Sequence, residues 1–388
     1  MLDQIREVTW MNLCNVPSRL GSSAVIIVGI AGVVAVLTGL LSMATGFSSA
    51  LENTSDPNRA LILRDGGTGE MQSGMGIDDY NIVSQLEGLG AVSGELYVVA
   101  DIPKKGTNTS ANVVIRGVEQ SAFEVRPEVE IVAGRMFEPG RGELIAGSKA
   151  MAMFVGLEVG NRINFRDSEW TVVGMFKSGG SAYESEVWTD LPIAQAAFRR
   201  GGSLTSMRVL LDDPGLAEAL DEQIKADPRL DLTLQTESGF YKAQSQERAA
   251  LINTFGYSVA FIMAIGAVFA ALNTMYTAVS TRTVEIATLR ALGFGSMPIV
   301  VSVMIESLTL ALMGGVIGGA LTYVAFDGYT ASTLNNASFS QVVFDFAVTP
   351  ALMQVGISWA LVLGMIGGLF PAVRAARLPI TRALMGDE

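Results

Sequence analysis

The sequence contains no histidine and one cysteine, Cys14. Without histidine there is no Ser-His-Asp triad, no His-containing zinc site and no imidazole pH switch. One thiol cannot close an internal disulfide, so a domain outside the cell must be held by its own core. The six lysines, Lys104, Lys105, Lys149, Lys177, Lys225 and Lys242, each follow a residue other than glycine. That excludes the Gly-Lys-Ser/Thr of a Walker A phosphate loop from this sequence. Charged residues make up 16%, against about a quarter in an average soluble domain. The net charge of −12 argues against a nucleic-acid partner.

The charge deficit is uneven. Residues 24–47 lie in a charge-free stretch between Arg19 and Glu52, and 251–279 in another between Arg248 and Arg282. A third run, 299–326, is interrupted only by Glu306. The fourth, 351–370, follows Thr349 as N-cap and Pro350 at the first helical position. Each reaches about 20 residues, enough to cross a hydrocarbon core of roughly 30 Å as a helix. Four buried helices of a soluble protein are the alternative, and four runs this long and this uncharged weigh against it. The first run exceeds a signal-peptide core of about 7–15 residues and reads as a retained helix. The expected fold is therefore an α-helical integral membrane protein with four transmembrane helices and an α+β extracytoplasmic domain inserted between helices 1 and 2.

Basic residues orient it. Arg6 and Arg19 precede the first span, Arg282 and Arg290 lie between spans two and three, and Arg374, Arg377 and Arg382 follow the fourth. The loop 327–349 has none, which places both termini and the 282–290 loop in the cytoplasm. The other 19 Lys and Arg lie between Leu51 and Leu251 with 30 acidic residues, as a solvated exterior would. The expected order is a cytoplasmic amphipathic N-terminal helix (1–21), first span (22–47), periplasmic core domain with stalk (48–250), second span (251–279), cytoplasmic coupling helix (280–298), third span (299–326), short periplasmic loop (327–349), fourth span (350–370) and cytoplasmic tail (371–388).

Within the large domain, short apolar or alternating runs at 60–63, 113–118, 162–165, 170–176 and 207–211 predict strands. Helical patterns recur at 77–86, 192–198 and 215–224. The glycine-rich stretch 66–76 has no lysine and reads as a mobile loop. Residues 237–250 extend the second span outward as a stalk helix.

The stretch 281–293 is the most informative. Ile286, Leu289 and Leu292 share a helical stripe beside Ala287 and Ala291, Arg282 and Glu285 are spaced to pair at i,i+3, Arg290 adds charge and Gly293 supplies a stop. It predicts a short helix along the inner membrane face, either a plain connector or a docking surface. In the third span, Gly314 with Gly318 and Gly315 with Gly319 form a doubled small-residue motif, read as packing against span four or two rather than as a dimer seam. Ala35 and Gly39 offer a similar face in span one. Glu306, the one acid within a span, is read as structural, snorkelling or bonded to a neighbouring helix. Ile5, Arg6, Val8, Trp10 and Leu13 pattern as an interfacial helix.

Asn273, Arg282, Glu285, Ile286, Arg290, Ala291, Leu292 and Gly293 fall in register with the N…R…EI…RALG pattern of MacB/FtsX-type ABC permeases, the type VII group, which this stretch resembles. The resemblance continues through Glu306, Ser307, Gly314, Gly315 and Gly318 to Phe370, Pro371, Ala372, Arg374, Ala375, Ala376, Arg377, Pro379, Ala383 and Leu384. Arg116-Gly117-Val118, Gly134-Arg135-Met136-Phe137, residues 156–160 and Val172-Val173-Gly174 resemble the family's periplasmic core domain.

The resemblance implies a non-catalytic permease subunit without catalytic, cofactor or metal residues of its own. ATP and Mg would bind a partner ABC ATPase, a separate chain in two copies, which docks on Arg282, Glu285, Ile286, Leu289, Arg290, Leu292 and Gly293. It further implies a homodimer in the bacterial inner membrane among membrane lipids, which transmits force to its periplasmic domain to export a lipid, lipoprotein, peptide or drug. A periplasmic adaptor and an outer-membrane channel would complete such a pump. The alternative is an FtsX-like regulator of a periplasmic cell-wall hydrolase.

Overall fold

A chain segment without charge can enter lipid only if every backbone N–H and C=O finds a partner, and a helix supplies these partners locally. The computed structural model describes residues 2–14, 20–166, 168–335, 339–377 and 379. Its helices are α1 (Leu2–Cys14), α2 (Leu20–Glu52), α3 (Ile77–Val83), α4 (Ala122–Val125), α5 (Ser148–Met153), α6 (Leu191–Ala197), α7 (Ala217–Ala226), α8 (Glu237–Ser280), α9 (Thr283–Ala291), α10 (Ser296–Phe326) and α11 (Pro350–Ala376). The chain divides into two compact units. One comprises Met1–Thr45, Ala250–Tyr329 and Phe346–Glu388, the other Gly46–Ala249 and Thr330–Asp345.

Four helices, α2, α8, α10 and α11, are long and apolar enough to cross a membrane. Thr349 caps α11 as its sequence predicts, its hydroxyl accepting from the Leu352 amide at 3.4 Å, with Pro350 at the helix start. Residues 15–19, including Arg19, and the tail residues Arg382, Ala383 and Leu384 lie outside the described residues.

In the helical unit, close approach depends on missing side chains. A Cβ on Gly318 would sit 2.5 Å from the Ala31 carbonyl oxygen, and one on Gly314 2.9 Å from that of Ile27. These two glycines thus seat α10 on α2, not on span two as one expectation had it. Gly315 and Gly319 face the other way, toward Ala360 and Met353 of α11. The two registers of the doubled motif serve two different neighbours. Gly39 meets Phe326 of α10, and the Ala35 carbonyl accepts from the Thr322 hydroxyl at 3.2 Å, so this face of span one is also used within the chain. Gly367 of α11 packs on Ala271 of α8. Close backbone approach replaces the hydrophobic driving force that lipid cannot supply.

The second unit is α+β. Its strands are β1 (Arg59–Arg64), β2 (Met75–Gly76), β3 (Leu89–Pro103), β4 (Ser110–Val118), β5 (Glu130–Gly134), β6 (Glu143–Gly147), β7 (Arg162–Phe165), β8 (Ser168–Lys177), β9 (Val187–Asp190), β10 (Ser203–Leu204), β11 (Ser206–Leu211), β12 (Leu232–Thr236), β13 (Thr330–Asn335) and β14 (Ser340–Asp345). A ten-stranded sheet runs β12-β1-β11-β3-β4-β9-β6-β8-β5, with β7 beside β8. Pairing is antiparallel except at β4–β9 and β6–β8. One core gathers Ile62, Val83, Met207, Val209, Leu220 and Ile224. Another gathers Val113, Ile115, Leu144, Phe154, Trp170 and Val187. The strand and helix patterns read from the sequence fall on β1, β4, β7, β8, β11, α3, α6 and α7.

Two segments differ from expectation. The connection 327–349, read as a short loop, carries the hairpin β13–β14. Val343 is fully buried in the second core, and its amide donates to the Ser185 hydroxyl at 2.8 Å. Phe344 packs edge-on against Phe47 at 5.6 Å. The glycine-rich stretch 66–76 is anchored rather than free, because Glu70 turns inward and is 7% exposed. Its carboxylate is drawn into a cluster of buried arginines.

Candidate functional site

The segment between α8 and α10 folds as the sequence directs, but its charges do not all point outward. α9 ends on Gly293, whose φ of +97° is open to glycine at little cost. The Gly293 amide donates to the Arg290 carbonyl at 3.1 Å and the Phe294 amide to that of Leu289 at 3.1 Å, closing a Schellman stop. Ile286 is buried, Leu289 and Arg290 are half-buried, and Leu292 is 73% exposed. Val284 on α9 and Met297 at the start of α10 are exposed as well. The predicted stripe is therefore divided: Ile286 faces the bundle, Leu292 faces out.

Arg282 departs most from expectation. Grouped with the docking residues by sequence, it is 5% exposed. Its Nη1 donates to the Glu306 carboxylate at 3.2 Å, its Nη2 to Asn12 Oδ1 at 2.6 Å, and its Nε lies 3.4 Å from Glu285. The i,i+3 pair is present, yet the guanidinium is turned into the bundle. Asn12 in turn donates to the Ser302 hydroxyl. Apolar side chains of Val8, Met275, Val279 and Val303 surround this cluster. Glu306 is thus bonded to the turn between α8 and α9, where the expectation was snorkelling or a bond to a neighbouring helix. Asn12 and Ser302 were not foreseen, since a neutral polar residue gives no periodic signal.

The outer unit holds a second cluster that the sequence concealed. Arg116 pairs with Glu70, Glu95 and Glu186, each at 2.7 Å. Arg208 reaches Glu70 at 3.1 Å, Glu95 at 3.4 Å and the carboxylate of Glu237. Arg126 binds Glu95, and Arg59 bonds Glu237 at 2.8 Å and Glu128 at 2.6 Å. Tyr183 and Trp188 lie against the Arg126 guanidinium at 4.8 and 4.9 Å. The domain's charges are not simply a solvated exterior.

Burial alone would raise the Glu70 carboxyl; the guanidinium groups of Arg116 and Arg208 outweigh it and hold the group well below the usual carboxylate range. Glu95 is lowered likewise, burial opposing and Arg126, Arg116 and Arg208 prevailing. Burial pushes the Tyr241 hydroxyl up to about 12. These ions are matched, which suits a rigid core rather than acid–base chemistry. Among the described residues no group of three Cys, Asp or Glu side chains is placed to hold a metal ion.

Comparison with known proteins accounts for both halves. Residues 23–227 match the MacB-like periplasmic core domain, and 257–380 the FtsX-like permease C-terminal domain. The macrolide export ATP-binding/permease protein MacB of Nitrobacter winogradskyi is 30% identical over 257 residues, covering 62% of this chain and 38% of its own. MacB of Neisseria meningitidis is 24% identical over 395 residues, covering 93% of this chain and 57% of its own. The chain thus spans less than two thirds of these relatives' length. The solved periplasmic region of MacB from Actinobacillus actinomycetemcomitans aligns at 16% identity over 48% of this chain and 92% of that one, with a TM-score of 0.38. With both halves matched, the chain belongs to the ABC transporter permeases of the MacB/FtsX type and is a membrane protein with an extracytoplasmic α+β domain.

Proposed function

We propose that the chain is the membrane subunit through which an ABC ATPase on the inner face drives the outer domain to export a cargo. The observation that carries this reading is the exposed rim of α9, Val284 and Leu292, on a helix closed by a Schellman stop between two spans. A short, capped helix with apolar side chains in water is suited to seating in another protein. The relatives' names, macrolide export ATP-binding/permease proteins, support an ATPase as that partner and efflux as the outcome. ATP and Mg would bind the ATPase and not this chain.

The placement of β13–β14 supports the orientation. Two spans, α8 and α10, separate residue 249 from residue 330, so the chain returns to the side it left. The hairpin 330–345 accordingly folds with 46–249 in one unit. A head outside and α9 inside satisfy both this and the distribution of arginine. Along α8, Phe255, Phe261, Ile262 and Phe269 are each at least 60% exposed, a face for lipid or for the second copy of a homodimer.

The test is purification of the full chain from its native host, with any co-purifying ABC ATPase identified by its Walker A sequence. Leu292→Glu should abolish retention of the ATPase, and Arg290→Ala should weaken it. Retention equal to wild type in Leu292→Glu removes α9 as the docking element. Capture of an adaptor and outer-membrane channel by the head supports export; capture of a cell-wall hydrolase instead makes the chain its regulator.

A further inference from the structure

An ionisable side chain within a span is costly unless it is paired. Glu306 lies ten residues beyond Ser296, the first residue of α10. That is about 15 Å along the helix at 1.5 Å per residue. Its carboxylate receives the guanidinium of Arg282, which occupies the turn between α8 and α9. A guanidinium is a rigid planar fork. Here its three nitrogens engage three elements: Glu306 of α10, Asn12 of α1 and Glu285 of α9. Asn12 then bonds Ser302, four residues before Glu306 and on the same face of α10. Arg282, Glu306, Asn12 and Ser302 are all less than 9% exposed. In so dry a setting these bonds are strong when made and costly when broken.

We infer that Glu306 is a positioning residue for the coupling segment. Through Arg282 it fixes the turn before α9, and through Arg282 and Asn12 it fixes α1, so that both move with α10. A displacement of α9 then passes to the third span instead of being absorbed by the two-residue turn 281–282. Glu306 and Arg282 are the tie and Leu292 is the contact. This inference rests on the reading of α9 as the coupling element. Its test is made on the full chain alone, so that its failure and loss of ATPase binding in Leu292→Glu are separate results.

Hydrogen–deuterium exchange of the chain in lipid nanodiscs reads the tie directly. Glu306→Gln and Arg282→Gln should each speed exchange of the amides of 286–292 about tenfold. The double variant should be no faster than Arg282→Gln alone, because loss of the guanidinium already removes the tie to Glu306. Asn12→Ala, which keeps both charges, should speed exchange in α1 and spare α9. If a charge variant fails to fold, Asn12→Ala and Ser302→Ala carry the test: both must loosen α1 and leave the outer domain unchanged. Wild-type exchange of α9 in Glu306→Gln, multiplied effects in the double variant, or wild-type exchange of α1 in Asn12→Ala would overturn the inference.

Discussion

Arg59 donates from Nε to the Glu237 carboxylate at 2.8 Å, with both side chains sealed from solvent. Glu237 is the first residue of α8, and it also accepts from Arg208 and from the Tyr183 hydroxyl at 3.2 Å. The start of this helix is therefore held in the outer unit by charge as well as by packing. Removing one partner of such a buried pair leaves an uncompensated ion and costs about 3–5 kcal/mol. Glu237→Gln should lower the unfolding midpoint of the outer unit accordingly, read by tryptophan fluorescence, to which buried Trp170 and Trp188 of that unit contribute. A midpoint equal to wild type would refute the anchoring role.

Acid should act on the same cluster. The Glu70 and Glu95 carboxyls are lowered in the folded state relative to an ordinary value of 4.5. Their contribution is thus complete above about pH 4.5 and is lost as pH falls from there through the folded values. The outer unit should lose stability progressively below about pH 4.5, and Glu70→Gln should flatten that dependence. Denaturant midpoints measured from pH 7 to pH 3 check it. A wild-type midpoint independent of pH over that interval contradicts the assignment.

The glycines of α10 make unequal demands. An added methyl at Gly318 meets backbone, the Ala31 carbonyl oxygen at 2.5 Å, whereas at Gly319 it meets only the flexible end of Met353 at 3.0 Å. Gly318→Ala should cost about 1–3 kcal/mol through overpacking of α10 on α2. Gly319→Ala should be close to neutral. Thermal stability of the two variants in detergent checks the difference, and equal effects would mean that the α2–α10 contact is looser than described.

Sidedness can be read by cysteine labelling in a Cys14→Ser background. Thr107→Cys in the head and Leu334→Cys in the β13–β14 hairpin should react with a membrane-impermeant maleimide on intact spheroplasts. Thr288→Cys on α9 should react only after permeabilisation. Labelling of Thr288→Cys and Thr107→Cys from the same side would contradict the proposed orientation.

Local features were legible. The length and charge of a run decide whether it can span a bilayer, and Gly293 can end a helix whatever surrounds it, so the four long helices and the stop of α9 were open to reading. Partnership was not. Arg282 and Glu306 lie 24 residues apart, and nothing in the separation shows that one turns inward to meet the other. Arg59, Arg116, Arg126 and Arg208 look like any surface arginines in a charged domain, and Glu70 sits in a stretch that reads as a loop. β13 is mostly small and polar, with Thr330, Ser332, Thr333 and Asn335, so it shows no apolar alternation to mark a hairpin.

By itself, then, the sequence determined which segments are long and apolar enough to leave water, which of the strand and helix patterns form, and where α9 stops, because those depend on side chains a few residues apart. The tertiary structure alone decided that Arg282 binds Glu306 and Asn12, that four arginines pair with five glutamates within the head, and that Gly318 faces α2 while Gly319 faces α11. A charge is stable inside only when its counterpart arrives from elsewhere in the chain, and that meeting exists only once the chain has folded.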